Sequence, residues 1–324
     1  MKAFLVKQLL VTLITMSCVT TMAQQRIDLQ GHRGARGLLP ENTLAAFERA
    51  IQLGVTTLEL DVVVTKDDVL VVSHNPELNP ELTRDLQGRF LLSAGPQIVS
   101  LNYQELATYD VGRINPTTPY ARIFYEQRPV DGQRIPRLKD LFDLVKSSGN
   151  KTVKFAIETK VTPTHPEQTP SPERVVDLLL KEVKDSGMTD RVQILSFDWR
   201  TLQSVQRLSP GTPTVYVTAQ LPELDNLMIQ SPQDSPWTAG FQYKQYGSIP
   251  KMIKAAGGTH WSSFWRELDA KKVREAQQLG IKVLAWTVNS KALMNQMIDM
   301  GVDGLVTDRP DLAIEVLKQR NMSW

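Results

Sequence analysis

The chain has 324 residues, 41% of them hydrophobic and 22% charged, with a formal net charge of +2. That is enough chain for a large buried core, as one large α/β domain or two smaller ones, and it is an ordinary soluble globular composition. Without Lys2 and Lys7, which open the chain, 35 basic residues face 35 acidic ones; with no Lys/Arg run, electrostatic capture of nucleic acid has no support.

Residues 1–23 read as a secretory signal peptide. Lys2 and Lys7 make a basic start, Leu9 to Met16 is mostly apolar, and Thr21-Met22-Ala23 ends in a small residue, so cleavage is expected near Ala23. The apolar run is too short for a comfortable spanning helix, and no stable membrane insertion is expected. Cys18, the only cysteine, lies inside this segment; Thr15 stands where a lipoprotein site prefers Leu, so lipidation is not the favoured reading. The remaining chain, 24–324, has no cysteine and cannot use disulfides, cysteine–zinc sites or thiol catalysis. A bacterial periplasm or cell exterior fits such a chain.

The expected elements alternate. Ile27 to Gly31 is a strand, Asn42 to Leu53 carries one apolar helical face, and Thr56 to Val64 is a strand rich in β-branched residues after the Gly54 stop. Leu138–Ser147 reads as helix, Thr152–Glu158 as strand, Pro172–Lys184 as helix, Val192–Ser196 as strand and Asp198–Leu208 as helix. Strand Thr214–Val217, helix Ile249–Ala256, strand Gly258–Ser262 and helix Leu268–Leu279 follow. The chain closes with strand Lys282–Trp286, helix Lys291–Met300, strand Gly304–Val306 and helix Pro310–Lys318. About eight strands separated by helices predict a closed α/β (β/α)₈ TIM barrel in one catalytic domain spanning 24–324. Two stretches interrupt it. Residues 76–136 are rich in Pro, Gly, Asn and Tyr and read as an insertion after the second strand that caps the barrel mouth. Pro222 to Gly247, with Trp237, Phe241, Tyr243 and Tyr246, reads as an aromatic loop packed on the barrel in preference to a lipid contact.

On a strand, Glu59 and Asp61 share a face while Leu60 points away. The apolar residues around them imply a buried strand, where two unpaired carboxylates are costly and a cation removes the cost. A metal site is the expectation. His32 follows the first strand, Glu158 and Lys160 end the third, Trp286 ends a later one, and Asp308 follows the last. A barrel brings all of these to its C-terminal mouth, where active sites sit.

These residues also carry a resemblance. His32-Arg33-Gly34, Pro40-Glu41-Asn42-Thr43, Glu59-Leu60-Asp61, Ser73-His74, Glu158-Thr159-Lys160, Ser196-Phe197-Asp198, Trp286-Thr287-Val288-Asn289 and Asp303 to Pro310 resemble, in this order, the signature of the glycerophosphodiester phosphodiesterase family. The resemblance implies a metal-dependent barrel enzyme with an insertion after its second strand, hydrolysing small-molecule glycerophosphodiesters to glycerol 3-phosphate and an alcohol. It implies His32 and His74 as general acid and base, Glu59, Asp61 and Glu158 as ligands of one divalent cation, and Arg33 and Lys160 as phosphate contacts. The all-carboxylate set favours Ca²⁺ or Mg²⁺ over zinc. It further implies attack by the glycerol 2-hydroxyl, with a cyclic phosphate opened by water. Trp286 either lines the glycerol pocket as a substrate contact or closes the barrel, and Asn42 or Thr43 caps the first helix. Glu41 either belongs to that cap motif alone or bonds a catalytic group. His165, in a Pro-rich loop, and His260 read as structural or surface residues. Two other readings remain open from sequence: a related barrel phospholipase acting on lysolipids, and a catalytically silent phosphate-binding relative.

Overall fold

The computed structural model describes residues 26–324. The expected signal peptide and Cys18 lie outside the described residues. Eight parallel strands form the barrel: β1 Asp28–Gly31, β2 Thr57–Val64, β3 Lys154–Thr159, β4 Val192–Ser196, β5 Thr214–Thr218, β6 His260–Phe264, β7 Lys282–Trp286 and β8 Gly304–Thr307. Each pairs with its sequence neighbours, and β1 pairs with both β2 and β8, which closes the ring. The helices are α1 Leu44–Leu53, α2 Leu138–Ser147, α3 Pro172–Asp185, α4 Trp199–Leu208, α5 Ile249–Ala255, α6 Ala270–Gln278, α7 Lys291–Met300 and α8 Pro310–Gln319.

Period-two alternation decides which side chains reach the interior. In β2, Leu58, Leu60 and Val62 join the core between strands and helices, together with Phe47, Phe142 and Phe155. Burying each of these contributes about 1.5–3 kcal/mol. The opposite face of the strands encloses Ala156, Leu195, Val215, Val217, Leu284 and Val306, with Phe197 and Trp286 packed on that inner cluster. Strand β6 begins two residues later than the sequence suggests. Gly258 is still closing the α5 turn, its N–H donating to the Ile253 carbonyl, and a Cβ there would lie 2.6 Å from Tyr216 Cδ2.

Beyond a two-residue hairpin, Gln220–Leu221 with Leu224–Asp225, the described chain makes one further strand that hydrophobic patterning did not single out. Leu70–Val72 turns back antiparallel on β2, pairing Val62 with Val72. Residues 76–136 follow, with short helices at Tyr103–Leu106 and Pro119–Ile123 and a small core of Leu78, Ile98, Leu106 and Ile135 on Val63 and Val71. At the other end of the barrel the two ends of the described residues meet. Ile27 N–H donates to the Ser323 carbonyl at 3.0 Å, and the Trp324 indole donates to the Gly54 carbonyl at 2.9 Å. Phe241, Tyr243 and Tyr246 of the aromatic loop pack against the main core. Among the described residues, no helix is long and apolar enough to cross a membrane.

Candidate active site and metal centre

The carboxylates converge because of register. Glu59 and Asp61 sit two apart on β2 and point to one face; Glu158 on β3 is the direct cross-strand partner of Asp61. All three are buried, and their ligand oxygens lie within 4.8 Å of one another. Burial, then the charges of Asp61 and Glu158, push the Glu59 carboxyl well above its ordinary range. Burial also raises Glu158, against the pull of Lys160. Burial acts the same way on Asp61, but His74, Lys160 and Arg33 outweigh it and hold that group below the usual carboxylate range.

The turn after β1 supplies the next groups. Arg33 has φ +49° and Gly34 φ +85°. Asn42 bonds its N–H to the Arg33 carbonyl at 3.1 Å, closing a tight loop. A Cβ on Gly34 would lie 2.8 Å from the Ala46 carbonyl carbon, so this turn can press on α1 only with glycine there. The result aims the Arg33 N–H at Glu59 Oε2 (2.8 Å) and its guanidinium at Glu41 Oε1 (2.7 Å), with Nε 3.4 Å from Asp61 Oδ2. The Asn42 amide donates to Asp61 Oδ2 at 2.9 Å, while Thr43 caps α1 by accepting from the Ala46 N–H. Asn42 therefore serves the carboxylate cluster and Thr43 the helix. Glu41 bonds Arg33, a role beyond capping.

The two histidines arrive by different routes. His32 follows β1, and its Nδ1 lies 2.7 Å from Asp308 Oδ1, with Nε2 3.9 Å from Glu59. Asp308 is itself held by Arg36 (2.7 and 3.0 Å) and by the Asn289 amide (2.6 Å). Burial first, then the Arg36 charge, lower the His32 imidazole to about 4. His74 is delivered by the antiparallel return of Leu70–Val72, where the Ser73 N–H donates to the Asp61 carbonyl at 3.1 Å. Its Nδ1 lies 3.1 Å from Asn75 Oδ1, and burial with Arg33 and Lys160 pushes it well below the ordinary histidine range.

Lys160, one residue past β3, puts its ammonium 2.7 Å from Glu158 and 3.6 Å from Asp61. Trp286 lines the same cavity as His32, Arg33, Glu59, His74, Glu158 and Lys160, edge-on to Phe197 at 5.7 Å. The cavity holds about 310 Å³. All the residues singled out from sequence are thus brought together. Sequence reasoning left out Arg36 and Tyr120. Arg36 binds Asp308, while the Tyr120 hydroxyl, from the insertion, contacts Glu41 and accepts from Arg36 at 3.2 Å. Neither stands out locally, because each acts through a partner more than 75 residues away. Ser196 and Asp198 are structural: Ser196 bonds the Thr159 carbonyl and Asp198 caps α4.

The donor set suits a hard divalent cation. Five carboxylates (Glu41, Glu59, Asp61, Glu158, Asp308) face three fixed cations (Arg33, Arg36, Lys160), a formal excess of two negative charges with neutral histidines. Three oxygen ligands without nitrogen or sulfur suit a hard ion such as Ca²⁺ or Mg²⁺.

A closed parallel barrel with a carboxylate cluster and two imidazoles at its C-terminal mouth defines the chain as a barrel enzyme built for charge-neutralised chemistry. The glycerophosphoryl diester phosphodiesterase family matches residues 32–312, and the chain belongs to that family. It is similar to a glycerophosphodiester phosphodiesterase of Caldanaerobacter subterraneus subsp. tengcongensis, 28% identical over 89% of this chain and 96% of the relative. It is also similar to a crystal structure described as a glycerophosphoryl diester phosphodiesterase of Silicibacter pomeroyi DSS-3: TM-score 0.82, 35% identity, covering 93% of this chain and 96% of that one. An Oleispira antarctica phosphodiesterase, solved with the product sn-glycerol-3-phosphate, shares the fold at TM-score 0.65 and 20% identity, over 90% of this chain and 96% of that one.

Proposed function

We propose that the chain is a metal-dependent glycerophosphodiester phosphodiesterase, releasing glycerol 3-phosphate and an alcohol. The observation that carries this reading is the gathering of Glu59, Asp61 and Glu158 within 4.8 Å, with Glu59 and Glu158 lining one cavity with His32 and His74. These three carboxylates would hold the cation, which when bound supplies charge neutralisation at the phosphate oxygens. Arg33 and Lys160, both largely buried, add to it. His32, donating Nδ1–H to Asp308, keeps Nε2 free to take the proton of the attacking glycerol 2-hydroxyl; Asp308 then stabilises the imidazolium. His74, which takes up a proton once the substrate is bound, gives it to the departing alcohol. Arg33 and Lys160 help hold that ring neutral, and an anionic phosphodiester bound to them offsets their charge. The second step reverses these roles, with water opening the cyclic phosphate.

A cavity of about 310 Å³ suits a glycerophosphodiester better than an acyl chain, and Phe241, Tyr243 and Tyr246 of the loop are spent on packing. The basic start and apolar run of residues 1–23 support export to the periplasm or medium. The test is turnover of glycerophosphocholine and of a lysophospholipid, with and without chelator. Chelator-sensitive hydrolysis of the first is expected. Preference for the lysolipid would favour the phospholipase reading, and turnover of neither would favour a silent binding protein.

A further inference from the structure

We propose that Glu223 selects the alcohol half of the substrate, favouring diesters whose alcohol carries a fixed positive charge such as an ammonium group. This inference rests on the phosphodiesterase reading above. The cavity has two unlike sides. The carboxylates, histidines and basic groups of β1–β3 and their loops make one. The other is an apolar wall including Phe197, Leu221, Leu224 and Trp286, and its single charged member is Glu223.

Glu223 occupies the turn of a small hairpin in which Gln220–Leu221 pairs antiparallel with Leu224–Asp225. The hairpin is fixed at its base. Gln220 N–H donates to Glu267 at 2.6 Å. The fully buried Asn226 amide bridges the Phe197 and Val217 carbonyls at 3.0 and 2.9 Å. The turn is therefore tied to the strand end that carries Phe197. No other described residue bonds the Glu223 carboxylate, whereas around the opposite side Glu41, Asp308 and Glu158 are paired with Arg33, Arg36 and Lys160 respectively.

An anion beside aromatic rings attracts an alkylammonium group, through Coulomb attraction and through the negative ring faces. Trp286 supplies a ring, packed edge to face at 88° on Phe197, whose own face the Lys160 ammonium already approaches at 5.8 Å. With the phosphate held by Arg33 and Lys160, an organic arm of the diester reaches the apolar wall. A neutral alcohol gains nothing from Glu223, and an anionic one is repelled.

The experiment compares kcat/KM for glycerophosphocholine and glycerophosphoglycerol in the metal-supplemented wild-type chain, Glu223→Gln and Glu223→Lys. The choline-to-glycerol ratio is expected to fall about fivefold in Glu223→Gln and further in Glu223→Lys. Raised ionic strength should narrow the wild-type ratio and leave that of Glu223→Gln unchanged. An unchanged ratio overturns the proposal. So does an equal loss on both esters, which would place Glu223 on the shared glycerol. If the wild type turns over neither ester, the hydrolase reading itself falls and takes this one with it.

Discussion

Asp308 and His32 are 276 residues apart in the chain, yet Oδ1 of one lies 2.7 Å from Nδ1 of the other. The contact exists because β1 and β8 are neighbours in the closed ring, with Gly31 opposite Thr307. It fixes the imidazole so that Nε2 faces the carboxylate cluster. His32→Ala should lower turnover about 10²–10⁴-fold with the fold intact. Asp308→Asn should lower kcat about 10²-fold. The double variant should be no slower than His32→Ala alone, because Asp308 acts through that ring. Additive losses, measured by steady-state turnover with circular dichroism as a fold control, would dissociate the two.

Glu59 separates metal binding from folding. Its ionised form is disfavoured by burial and by two neighbouring carboxylates, so Glu59→Gln imitates the protonated group that the cation-free protein favours. The variant should unfold no earlier than wild type in chelator. Added Ca²⁺ or Mg²⁺ should stabilise the wild type, by about 2.7 kcal/mol at a hundred times its dissociation constant, and the variant much less. Thermal unfolding across a cation titration reads both effects, and an equal cation response would remove Glu59 from the site.

Tyr120 ties the insertion to the mouth, contacting Glu41 and Arg36 while Arg36 stacks 4.6 Å from the Phe124 ring centre. Tyr120→Phe leaves Glu41 and Arg36 each short of a partner at a cost of about 1–2 kcal/mol. Limited proteolysis should cut within residues 119–128 faster in the variant, and kcat should fall by roughly tenfold. Unaltered cleavage would show that the hydroxyl is not what holds the insertion down.

His260 gives the stability an acid-side slope. Burial, then the Lys282 charge, lower its imidazole to about 4. Between its unfolded value of about 6.5 and 4, the unfolded chain binds the proton and the native one does not, so stability present above pH 6.5 declines as the pH falls. The ring is only partly enclosed, so the loss from pH 7 to pH 5 should be about 1 kcal/mol. Urea unfolding at the two pH values should show a smaller loss in His260→Gln; equal losses would assign the slope to other groups.

Two strand limits were legible residue for residue, Val192–Ser196 before the Asp198 cap and Lys282–Trp286 after the Gly280 stop, and Thr57–Val64, Thr214–Thr218 and Gly304–Thr307 differ by one residue at one end. The carboxylate pair was legible because a period-two strand fixes Glu59 and Asp61 on one face. Two things were not. Leu70–Val72 is three residues long and shows no alternation, so its pairing depends on β2 being there first. The Asp308–Arg36–Tyr120–Glu41 chain joins β8, the β1 turn and the insertion, and no local pattern announces contacts made only when the ring closes.

The ends of the described chain are pinned together at the pole away from the cavity, by the Ile27–Ser323 and Trp324–Gly54 hydrogen bonds. A tether attached at Arg26 or Trp324 leaves from that pole. Immobilised on a bead or fused to a carrier through Arg26 or Trp324, the enzyme would turn its open mouth outward and leave diffusing solutes an unobstructed approach.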